Sequence, residues 1–150
     1  MRFSVLHIEE NGKDARLVER ILVMHFPDVE VHHVNNLKDF IQFIESTPPD
    51  IIISDYGLAS HSGEIFLKTC RIEIPEAPFI FLTNSSVAAI RSKLLSDGAK
   101  EVLNKMEVER LPEVVENALL QIHVNEEANI LTTILTQISD PIIIRNNYGF

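Results

Sequence analysis

Between residues 3 and 122 the chain repeats one unit, an apolar run of strand length followed by a segment of helical spacing. Phe3–Ile8, Val29–Val34, Ile51–Ser54, Phe79–Leu82 and Glu101–Leu103 read as strands. Asp14–Phe26, Leu37–Ile44, Glu64–Ile74 and Val87–Ser96 read as helices. A fifth helix is expected from about Leu111 or Pro112, since proline suits a first helical turn. Leu37, Phe40, Ile41 and Ile44 show the spacing most plainly, at i, i+3, i+4 and i+7. Strands alternating with helices predict a parallel sheet covered on both faces. The unbroken apolar character of the third and fourth strands agrees with burial on two sides. The predicted fold is α/β, a flavodoxin-like doubly wound sheet of five parallel strands in the order 2-1-3-4-5, with an extended C-terminal helix. Ligands of such sheets bind beyond the carboxyl ends of the strands, where strands one and three are neighbours.

Charge and cysteine usage exclude several functions. With 22 acidic and 13 scattered basic residues the net charge is −9, which argues against a nucleic-acid partner, because that binding needs clustered Lys and Arg. No apolar run approaches the roughly 18 residues of a spanning helix, so no membrane role is expected. The N-terminus "MRFSVLHIEE" becomes acidic early and lacks a signal-peptide pattern. Cys70 is the only cysteine, so an intrachain disulfide or a cysteine-based metal site is impossible and a reducing, cytoplasmic setting is expected.

The polar residues that end the apolar runs are more informative. Glu9 and Glu10 follow the first strand, Asp55 the third, Thr83 the fourth and Lys105 the fifth. A carboxylate is costly to bury unless it is paired, so the stretch "IIISDYG" predicts that Asp55 faces a polar pocket shared by these groups. Three carboxylates against one ammonium invite an oxygen-seeking divalent cation, Mg²⁺ above all. An aspartate oxygen can also act as a nucleophile and form an aspartyl phosphate. Phosphoryl transfer then needs positioning and neutralisation of three equatorial oxygens. The metal, the Thr83 hydroxyl and the Lys105 ammonium would take one each.

At these residues the chain resembles the receiver domains of two-component response regulators. The matching stretches are "VLHIEENGKDARLV", "PDIIISDYGLASHSGEIFL", "FIFLTN" and "GAKEVLNK", in that order. The resemblance covers about residues 3–122. It implies Asp55 as phosphoacceptor, Glu9 and Glu10 as metal-binding acids, Thr83 as the phosphoryl-sensing hydroxyl and Lys105 as its charge partner. It further implies that the Gly57 backbone carbonyl is a metal ligand, that Mg²⁺ is the cofactor, and that a histidine kinase or phosphotransfer protein is the partner. Four places depart from the family pattern: Glu9-Glu10 where Asp-Asp or Glu-Asp is usual, Ala59 where proline is common, Met106 where proline follows the lysine, and Val102 at the place of the aromatic switch residue. Without proline a cis bond after Lys105 would cost about 2.5–4 kcal/mol, so a trans bond and a local adjustment of that loop are expected.

Residues 1–123 are therefore read as the receiver domain. Residues 124–139 carry a second apolar stripe, Leu131, Ile134, Leu135 and Ile138. They are read as a signalling helix that pairs two copies into a homodimer. Residues 140–150 are similar to the opening of a PAS sensory domain, cut short. The function read from all this is a phosphoacceptor switch with no kinase motif of its own, not an enzyme. One alternative is a degenerate receiver that serves as a docking or dimerisation module. Another is an aspartate-nucleophile phosphatase, although Gly57 stands where those enzymes place an acid/base aspartate. His7 is expected to be a packed, hydrogen-bonded core residue, and the adjacent His32 and His33 to point to opposite faces of their strand.

Overall fold

A computed structural model of the chain describes residues 2–58 and 62–122. Residues 123–150, and with them the expected signalling helix and PAS-like start, lie outside the described residues. The strands are β1 (Ser4–Ile8), β2 (Glu30–Val34), β3 (Ile51–Asp55), β4 (Phe79–Thr83) and β5 (Glu101–Asn104). They form one parallel sheet in the order β2-β1-β3-β4-β5, as expected. The helices are α1 (Gly12–His25), α2 (Leu37–Ser46), α3 (Gly63–Glu73), α4 (Val87–Ser96) and α5 (residues 111–122). Among the described residues no helix is long and apolar enough to cross a membrane.

Alternate positions along each strand supply two separate cores, as the two-residue period of a strand requires. Leu6, Ile8, Ile52, Phe79, Phe81 and Val102 pack with residues of α2, α3 and α4 such as Phe40, Phe66 and Leu94. This core is aromatic, with Phe40 edge-on to Phe66 at 5.2 Å and Phe79 tilted on Phe81 at 4.9 Å. Val5, Ile51, Ile53, Ile80, Leu82 and Leu103 form the other core with Val18 and Leu22 of α1 and Leu111 and Val115 of α5. Both edge strands begin with a glutamate held by an arginine: Glu30 by Arg2 at 3.1 Å and Glu101 by Arg91 at 3.0 Å.

Three local features aim the strand ends. Helix α1 starts at Gly12, earlier than the periodicity indicates, because the Asn11 side chain accepts the N–H groups of Lys13 and Asp14 and so satisfies the first turn. After β5 the chain enters a 3-10 turn, Lys105–Arg110, opened by the Asn104 side chain accepting the Met106 N–H at 2.8 Å. The bond between Lys105 and Met106 is trans, as expected. Gly63 opens α3 against the end of β3, its N–H donating to the Tyr56 carbonyl at 3.1 Å. A Cβ there would stand 2.9 Å from the Asp55 carbonyl oxygen and 2.8 Å from a Phe81 ring carbon. Gly63→Ala is therefore expected to cost about 1–3 kcal/mol, the range for overpacking a tight site. Chemical denaturation with an unchanged midpoint would contradict this.

Candidate functional site

The carboxyl ends of β1, β3 and β5 converge on one ammonium. Lys105 Nζ lies 3.0 Å from Glu9 Oε1, 3.0 Å from Asp14 Oδ2 and 3.3 Å from Asp55 Oδ2. The Glu9 side chain is almost fully buried, at 2% exposed, and those of Asp55 and Lys105 nearly so, at 13% and 14%. The other Glu9 oxygen accepts the backbone N–H groups of Glu10 and Asn11, which fixes the carboxylate in place. The free Asp55 oxygen accepts the Gly57 N–H at 3.3 Å, a turn that holds the acid at the end of its strand.

Burial and charge oppose each other here. Burial pushes the Glu9 pKa up and the Asp55 charge adds to this, while the Lys105 hydrogen bond only partly offsets them, so it stands above the ordinary carboxylate value. For Lys105 burial favours the neutral amine, but the bonds to Asp14 and Glu9 and the nearby carboxylate charges outweigh it, and its pKa is raised. The site therefore holds a firmly charged ammonium among acids.

Not every expected residue joins this convergence. Thr83 is buried at the end of β4, and its hydroxyl oxygen accepts the Ser85 N–H at 3.0 Å, which leaves its own hydrogen to donate. Glu10 is exposed, unlike its neighbour Glu9. Gly57 is also exposed, with open space around its α-carbon. Asp14 was not singled out by the strand-end pattern, because it sits inside a helix. The signal for it was an acid three residues after the capping Asn11, on the turn that faces Lys105. A cavity of about 290 Å³ opens beside the cluster, lined by Asp14, Leu17, Asn84 and Met106 among others.

The donor set suits a hard divalent cation, since the oxygens of Glu9 and Asp55 already converge on one positive centre. That centre is an ammonium, and among the described residues no group of three acids, histidines or cysteines is arranged to hold a metal ion.

His7 lies on β1, completely buried, with its ring 5.3 Å from that of His33. It is packed as expected, but it is not hydrogen-bonded, since neither ring nitrogen has a partner. In register it stands between His33 of β2 and Ile53 of β3. Burial, reinforced by His33 and Lys105, lowers its pKa to about 3, so the ring is neutral. His32 packs on Phe43 at 4.9 Å and His33 bonds Glu19 of α1, so the two do point to opposite faces.

Comparison with known proteins shows the family and the fold. The model of the response regulator receiver domain matches residues 5–116. The chain is 31% identical over 124 residues to the methanogenesis regulatory protein FilR1 of Methanothrix harundinacea, covering 79% of this chain and 28% of that protein. It is 28% identical over 93 residues to the regulatory protein LuxO of Vibrio cholerae, covering 61% of this chain and 20% of that one. The chain thus spans under a third of the length of these relatives. Among solved structures it is similar to the signal receiver domain of a putative LuxO repressor from Vibrio parahaemolyticus, with 28% identity, a TM-score of 0.75, and coverage of 85% of this chain and 98% of that one. NtrX from Brucella abortus, at 20% identity and a TM-score of 0.80 over 87% of this chain and 30% of that chain, shares the fold. Receivers of this kind typically act as phosphoacceptor switches, generally bind Mg²⁺, and work with a histidine kinase. The fold, the matched residues 5–116 and the strand-end acids lead to one conclusion: the chain belongs to the response regulator receiver family of two-component signalling.

Proposed function

We propose that this receiver is a working phosphoacceptor switch and that Asp55 is the residue modified. The observation that carries the reading is the convergence of the Asp55 and Glu9 carboxylates on Lys105 at the switch point of the sheet. An Asp55 oxygen attacks the phosphorus of a phosphohistidine on the partner kinase or phosphotransfer protein. The new O–P bond forms as the P–N bond breaks, and the imidazole leaves with the bonding pair. Lys105 neutralises charge on the equatorial oxygens, and the buried Thr83 hydroxyl donates its hydrogen to one of them. Glu9, Glu10, Asp55 and the Gly57 carbonyl are the residues that would hold Mg²⁺. When bound, that ion supplies further neutralisation of the phosphoryl group. Residues 124–139 would carry the signal onward as a paired helix into a PAS-like segment at 140–150.

Incubation with a small phosphodonor, with and without Mg²⁺, followed by intact-mass measurement tests the core of this. One added phosphoryl group is expected in the natural chain and none in Asp55→Asn, because an amide oxygen is a far poorer nucleophile. Modification that survives Asp55→Asn, or no modification of the natural chain, would sink the reading. The latter outcome favours a docking module.

A further inference from the structure

An ammonium has three N–H donors; Lys105 donates to Glu9 and to Asp14 at 3.0 Å each, and stands in an ion pair with Asp55 at 3.3 Å. For the ammonium to turn fully toward a phosphoryl group on Asp55, one of the two hydrogen-bonded acids must yield. Glu9 is poorly placed to yield, because it is buried and its second oxygen is bound by the Glu10 and Asn11 N–H groups. Asp55 would carry the phosphoryl group itself and bring the new oxygens with it. Asp14 differs from both. Its side chain is 39% exposed, it stands on the first turn of α1, and it lines the cavity beside Lys105. Water can solvate its carboxylate once the ammonium leaves.

We propose that Asp14 is a latch on Lys105, a positioning residue that holds the ammonium while Asp55 is unmodified and releases it to the incoming phosphoryl group. The inference rests on the reading of Asp55 as phosphoacceptor and adds an acid that the strand-end scheme does not contain. The latch opposes phosphorylation, since the ammonium must break one ion pair before it can serve the transition state. A partly exposed pair of this kind is worth at most a factor of about five in rate.

Two measurements on the whole chain test it. In the unmodified protein, Asp14→Ala is expected to speed solvent exchange of the Lys105 ammonium protons, followed by ¹⁵N NMR of the lysine side chains. With a small phosphodonor, Asp14→Ala is expected to raise the rate at saturating donor up to about fivefold. Asp14→Asn should fall between Ala and the natural residue, because its amide oxygen still accepts a hydrogen bond but brings no charge. A general field effect on the anionic donor would behave differently: Ala and Asn would match, the change would lie in the apparent KM, and salt would screen it. Unchanged ammonium exchange, or Ala and Asn variants equal in rate, overturns the latch. If no variant accepts phosphate while exchange does quicken, the phosphoacceptor reading fails and the release step fails with it.

Discussion

Replacement of Lys105 by methionine is expected to cost the fold about 3–5 kcal/mol at neutral pH in metal-free buffer, the usual loss when one partner of a buried ion pair is removed. The volume is nearly conserved, so the loss is electrostatic. Glu9 would remain buried beside Asp55 and Asp14 with no counter-charge. The pH dependence identifies the cause. Burial already holds the Glu9 pKa above its ordinary value, and loss of the ammonium raises it further. A carboxyl with a raised folded-state pKa penalises folding when ionised, and the penalty fades as pH falls through that value. The deficit against the natural chain should therefore shrink between pH 7 and pH 5. Lys105→Arg keeps the charge and should lose much less, and adding Glu9→Gln to Lys105→Met should restore part of the stability. Urea unfolding of all four proteins at both pH values checks this. Equal midpoints for Lys105→Met and the natural chain at pH 7 would show that the ammonium does not hold the acids together.

The second large effect belongs to His7. Its pKa is about 3 in the fold against 6.5 for an ordinary histidine, with burial as the first cause. Between those values the unfolded chain binds a proton that the folded chain refuses, so stability falls as pH falls, by about 1.4 kcal/mol per pH unit. From pH 6.5 to 4.5 this one ring should remove about 2–3 kcal/mol, and below about pH 3 its contribution levels off. His7→Leu should abolish that slope. It should also gain stability near neutrality, because it removes two buried ring nitrogens that have no hydrogen-bond partner. Stability curves for the two proteins that run parallel from pH 7 to pH 4.5 would contradict the assignment.

The sheet was legible because the strand-length runs and the helical spacing differ in period, and no tertiary contact had to override either. What the pattern did not contain was side-chain reach. Asp55, Glu9 and Lys105 could be placed together because each ends a strand of known order. Asp14 reaches the same ammonium from a helix, and its aim depends on the Asn11 cap that fixes the first turn. His7 was recognised as core, but whether a buried ring finds a partner depends on neighbours from β2 and β3 that spacing along one strand does not reveal. The turn Lys105–Arg110 was anticipated only as an adjustment after a non-proline residue, and its 3-10 form follows from Asn104 binding the Met106 N–H.

The arginine-held glutamates at the two outer strands bear on how copies of the molecule meet. A parallel sheet with open sides presents unpaired backbone groups, and such edges invite another chain to add a strand. Here the edge strands β2 and β5 each open with a charged pair, Arg2–Glu30 on one side and Arg91–Glu101 on the other. A strand that docked there would have to strip water from both charges before gaining any ladder bond. Edge-to-edge growth, the common route from an open sheet to aggregates, is thus disfavoured on both flanks.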